Sequence, residues 1–193
     1  MIGWEILGYL LRLFSDWLIL ILLLRFYLDW LHIPSGYPLM QFCVTLTRFI
    51  VSPIANLCNT PRINPVLIAI VGIALCTNWV ILMINPLLSY DFLAPATWIG
   101  IMGLTGIDVV RQLLTLATLL IIAYALLSWL RPIDELTALI HKIIEPFLKL
   151  FQWFKIANTQ LGCLVAVVLI QLIGLLLIGW LELQCAGFLQ LTM

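Results

Sequence analysis

Charge is scarce in this 193-residue chain: 9% of its residues are Asp, Glu, Lys or Arg, against about 25% in an ordinary soluble domain. Hydrophobic residues make up 64%, and a soluble fold of this size would leave much of that surface exposed in large patches. Lipid is the solvent that fits. Nine basic and nine acidic residues cancel, so net charge says nothing for or against nucleic acid. The start, Met1-Ile2-Gly3-Trp4-Glu5, lacks a basic n-region, and the apolar stretch after it ends in Arg25-Phe26-Tyr27-Leu28-Asp29-Trp30 instead of a small-residue cleavage site. It reads as a retained helix and not a removable signal. The cysteines (Cys43, Cys58, Cys76, Cys163, Cys185) form no CxxC pair and have no histidine at ligand spacing. Disulfides, zinc and haem attachment are poorly supported, and no metal or cofactor is expected. No GxSxG, HExxH, Walker or dinucleotide motif is present. Neither a catalytic site nor a nucleic-acid module is therefore expected.

What the chain does have is long apolar runs. Crossing a hydrocarbon core takes about 20 helical residues, and four segments qualify: about Trp4–Leu31, Pro65–Ile84, a third ending near Leu130, and about Leu161–Leu183. The expected fold is an all-α membrane protein. Phe92–Leu104 is too short to span alone. It reads as the first part of the third helix in preference to a separate interfacial piece, with Gly100, Gly103 and Gly106 on one face.

Two stretches between spans are amphipathic. In Leu39–Leu57, Gln41, Thr45, Arg48, Ser52 and Asn56 form one polar stripe. In Asp134–Gln152, Asp134, Thr137, His141, Glu145, Lys149 and Gln152 do the same. Such helices are expected to lie in the headgroup region with the apolar side down. Pro53 and Pro146 are expected to kink each helix or break it in two.

The elements repeat. Arg12 precedes Trp30 by the same interval as Arg111 precedes Trp129, Leu28-Asp29-Trp30-Leu31 matches Leu127-Ser128-Trp129-Leu130, and Ser52-Pro53 matches Glu145-Pro146. Residues 1–90 and 91–193 thus read as two parallel units, each span, amphipathic helix, span. The bases follow suit. Arg48 and Arg62 fall between the first two spans, and Arg131, Lys142, Lys149 and Lys155 between the last two. The amino-terminal tail, Asn85–Thr97 and the carboxyl tail hold none. By the positive-inside rule, loops 32–64 and 131–160 are expected in the cytoplasm and both termini opposite.

Charges also lie within the spans. Glu5, Arg12 and Asp16 share one face of the first span, where Arg12 and Asp16 can pair at i,i+4. Asp108, Arg111, Thr115 and Thr118 form a similar stripe in the third. A mid-membrane charge costs at least about 2.5 kcal/mol, so both stripes are expected to face protein or water. They read either as a polar path or ion site, or as neutralised pairs locking the bundle. The second is preferred because each acid has a base nearby. Arg25 and Asp29 form another i,i+4 pair, expected to snorkel to the interface. Asn78 and Gln171 read as interhelical glue.

Leu22-Leu23-Leu24-Arg25-Phe26-Tyr27-Leu28-Asp29-Trp30, then Tyr37-Pro38-Leu39-Met40-Gln41-Phe42 and Pro53, resembles the first half of the YggT (YlmG) family. Its second half is similar to Ser128-Trp129, Pro132-Ile133-Asp134 and Glu145-Pro146-Phe147-Leu148. The family's arginine pairs and Gly-x-Asp-x-Ser motif are replaced here by stretches such as Ile54-Ala55-Asn56-Leu57 and Ala157-Asn158-Thr159-Gln160. The resemblance implies a small multi-pass protein of the bacterial inner membrane, linked to osmotic tolerance and cation balance. The alternative is a scaffold or assembly factor for cell division, nucleoid placement or cofactor maturation, docking partners through its amphipathic helices. The bilayer is the expected partner, with another membrane protein or a second copy beyond it.

Overall fold

Three of the helices start on proline, whose fixed φ suits a first helical turn and whose missing N–H leaves no donor there to satisfy. The structure, a computed structural model, describes residues 2–33, 36–57, 64–84, 95–130, 143 and 160–190. Among them are five long helices and no strand: α1 (Ile2–Trp30), α2 (Pro38–Leu57), α3 (Pro65–Ile84), α4 (Pro95–Leu130) and α5 (Gln160–Gln190). At about 1.5 Å per residue, the 36 residues of α4 reach about 54 Å. The helix is continuous from Pro95, so the described part of Phe92–Leu104 belongs to the third long helix.

All five helices are long and apolar enough to cross a membrane by length and composition, one more than the four segments read from the sequence. The additional one is α2. Pro53 lies inside α2 and the helix runs on to Leu57, so it is not broken in two there. Pro53 takes the donor from the Phe49 carbonyl, two turns before the end, and the helix continues past that one missing bond. Of the second amphipathic stretch only Ile143 is described, helical and buried, and His141, Glu145 and Pro146 lie outside the described residues.

The chain divides into two compact units, Met1–Gln112 with Ile178–Met193, and Leu113–Leu177. In the first, α1 packs against α3 and α2, and α2 against α3. Ile19, Leu22 and Leu28 of α1, Met40, Cys43 and Val51 of α2, and Val66, Ala69, Ile70 and Ala74 of α3 are buried. The alanines let backbones approach closely, which is how helices gain packing energy in lipid.

α1 ends in a Schellman motif. Ile33 N donates to Leu28 O and His32 N to Asp29 O; His32 takes the left-handed position at φ 52°, and buried Ile33 and Leu28 supply the accompanying apolar contact. α3 is capped by Asn64, whose Oδ1 accepts from Val66 N at 3.1 Å.

In the second unit, Leu116, Ala117 and Ile121 of α4 are buried. Gln171 Nε2 donates to Thr118 Oγ1 at 3.0 Å. Gly174 of α5 sits so close to Leu114 that an added Cβ would lie 2.9 Å from its Cδ1.

Large apolar side chains stand exposed along α1 and α5, among them Tyr9 and Phe14 (both 69%), Leu175 (76%) and Leu183 (74%). Water would not tolerate such surfaces on a monomer. The apolar helices fit a multi-pass protein in contact with a lipid bilayer.

Candidate functional site

The charged residues of α1 and α4 meet in the first unit. Arg12 Nη2 of α1 donates to Asp108 Oδ1 of α4 at 3.0 Å, across 96 residues of sequence. Arg111, one turn on from Asp108, places Nη1 3.5 Å from the same oxygen. The other oxygen, Oδ2, accepts from Asn78 Nδ2 of α3 at 2.8 Å. Asn78 also reaches Thr105 Oγ1 at 3.5 Å, and Thr105 donates in turn to Ile101 O. Asp108 is therefore the hub, at 15% side-chain exposure. Three helices contribute donors to it, the condition under which a carboxylate survives away from water.

The network continues outward. Arg111 also pairs with Glu182 of α5. Asp16, one turn beyond Arg12, accepts a hydrogen bond from buried Gln112 and lies within electrostatic reach of Arg12, Asp108 and Arg111. Beside it, Thr77 of α3 donates to the buried Ser15 hydroxyl at 2.7 Å. Near the Glu182 contact the helices run close: a Cβ on Gly103 would lie 2.7 Å from Cys185 Sγ. Gly106 meets nothing comparable, so of this pair Gly103 is the one that needs to be glycine.

Arg12, Asp16, Asp108 and Arg111 thus stand together, while Glu5 is helical with a side chain outside the described set. The i,i+4 pairing of Arg12 with Asp16 gives way to the cross-helix ion pair with Asp108, which shares its charge with a second arginine. Sequence reasoning did not bring in Glu182, Gln112 or Thr47. A lone acid on an apolar span with no base one turn away was the signal for Glu182, because an intramembrane carboxylate needs a partner from another helix.

The second pair behaves differently. Arg25 Nε lies 4.0 Å from Asp29, and the Arg25 side chain is largely buried. It turns into α2 and donates from Nη1 to Thr47 Oγ1 at 2.7 Å. Thr47 Oγ1 in turn donates a hydrogen bond to Cys43 O. Gln41 and Arg48 stand exposed on α2.

The CCB3/YggT family model matches residues 103–181. That stretch takes in most of α4 and α5, with Asp108 and Arg111 inside it, and is consistent with a YggT family protein. No curated protein and no solved structure matches the chain.

Proposed function

We propose that this chain, which carries a CCB3/YggT family domain over residues 103–181, is a bacterial inner-membrane protein contributing to cation homeostasis and osmotic tolerance, without a catalytic site. Its topology is two parallel repeats, 1–90 and 91–193, each a span, an interfacial amphipathic helix and a span. Four spans result, with both termini outside and loops 32–64 and 131–160 in the cytoplasm. Support comes from the paired sequence landmarks and from the six bases confined to those two loops.

The observation that carries the reading is the convergence of Arg12, Arg111 and Asn78 on Asp108. Charges are costly within a bilayer, are kept where function needs them, and mark ion or proton routes more often than other intramembrane positions do. The test is paired Arg12→Ala and Arg111→Ala variants, produced at normal levels in cells lacking their own copy. Tolerance of osmotic shock is expected to fall, and cation flux into vesicles holding the purified variants to drop. Unchanged tolerance together with no flux from the unmodified protein rejects the reading.

A second reading, a docking scaffold, is favoured by one feature: Gln41, Thr45, Arg48, Ser52 and Asn56 all face outward from α2. Photo-crosslinkers at 41 and 48 should then capture one defined membrane protein, and recovery of lipid alone rejects it.

A further inference from the structure

α2 has three faces where its sequence shows two. Met40, Cys43, Thr47 and Val51 are buried against the protein. Gln41, Thr45, Arg48, Ser52 and Asn56 are exposed. Leu39, Phe42, Leu46 and Phe49 are also exposed, up to 67% for Phe49. At about 100° per residue these sectors are centred roughly 100–135° apart, so the exposed polar and exposed apolar faces are distinct flanks of one cylinder.

No single solvent suits both flanks. Water would leave four large apolar side chains uncovered. Hydrocarbon on all sides would surround five polar side chains, with Arg48, the eleventh of the 20 residues, at its least tolerable depth. A helix lying in the plane of the headgroups satisfies both at once.

We infer that α2 is a phospholipid-binding helix: Leu39, Phe42, Leu46 and Phe49 seat acyl chains, and Arg48 pairs with headgroup phosphate. Charge complementarity selects this occupant, since the one exposed cation of the polar flank stands where an anionic phosphate layer would lie. The third face anchors the helix to the protein, where Arg25 of α1 holds Thr47 at 2.7 Å. The inference deepens the interfacial placement of α2 above and rests on it, but not on any role in osmotic tolerance.

The deciding experiment uses the full chain, its native cysteines replaced by serine, in vesicles of phosphatidylethanolamine and phosphatidylglycerol. Single cysteines at 36 and 64, flanking α2, are treated with a membrane-impermeant thiol reagent. Modification of both from the same side is expected, and modification from opposite sides overturns the inference by making α2 a span. Nitroxides at 42, 46 and 49 should then show several-fold higher oxygen than nickel-chelate accessibility, and those at 41, 45 and 52 the reverse. Label-to-label coupling between chains at 42 or 49, with oxygen excluded, overturns it in favour of a second copy. None of these outcomes depends on osmotic tolerance, whose loss or retention bears on the proposed function alone.

Discussion

α1 carries two arginines 13 residues apart, about 20 Å along the axis, and they are accommodated by opposite means. Arg12 meets a carboxylate from another helix that is also held by an amide and a second guanidinium. Arg25 meets a neutral hydroxyl, with its own-helix carboxylate at 4.0 Å and its buried Nε without a hydrogen-bond partner. Arg12 stands six residues inside one end of the Ile6–Trp30 span and Arg25 five residues inside the other, so depth does not separate them; the groups that neighbouring helices supply do. The Arg12 end is therefore where the helices are locked, and the Arg25 end is where α2 is held more lightly.

Three substitutions can break or sharpen that contrast. Asp108→Ala removes the partner shared by Arg12, Arg111 and Asn78, and should destabilise the protein by about 2–3 kcal/mol, because charge-assisted hydrogen bonds are lost while Arg111 keeps Glu182. Denaturant unfolding in mixed micelles measures this, and a loss under about 1 kcal/mol would show that water already reaches the site. Asn78→Ala keeps the ion pairs but takes the amide from Asp108 Oδ2. Its cost should be smaller, about 1–2 kcal/mol, and a double-mutant cycle with Arg12→Ala should show coupling between the two. At the other end, Thr47→Val leaves Arg25 Nη1 without its acceptor, yet about 0.6–1 kcal/mol is expected, in line with other hydrogen bonds in membranes. A larger loss there than at Asn78 would invert the comparison.

How much of this was legible depended on what kind of signal each feature leaves. Long apolar runs fix where helices lie, and the α3 start was readable at Pro65, which suits a first helical turn, whereas the Asn64 cap emerged only from the structure. The polar stripe of α2 was readable as periodicity. Which apolar residues of α2 pack was not, because Met40 and Phe42 look alike to a pattern and are separated only by the position of α1 and α3. Thr47 left no signal, because it falls off the polar stripe, yet it is buried with both hydrogen-bonding roles filled. His32 stood where a glycine is usual, and histidine is among the few other side chains that visit the left-handed region. Glu182 announced a need, but its partner lies 71 residues away, a distance at which local pattern carries no information.

The 96 residues between Arg12 and Asp108 also set a timetable for biogenesis. At about 5–20 residues per second, the ribosome takes about 5–20 s to make the acid that will hold the arginine. Throughout that interval α1 carries a guanidinium whose final partner has not been synthesised, and Asp16, one turn further along the same helix, is the neighbour available to shield it. The spacing thus allows Arg12 to lean on Asp16 in the nascent chain and to take up Asp108 once the third long helix is made.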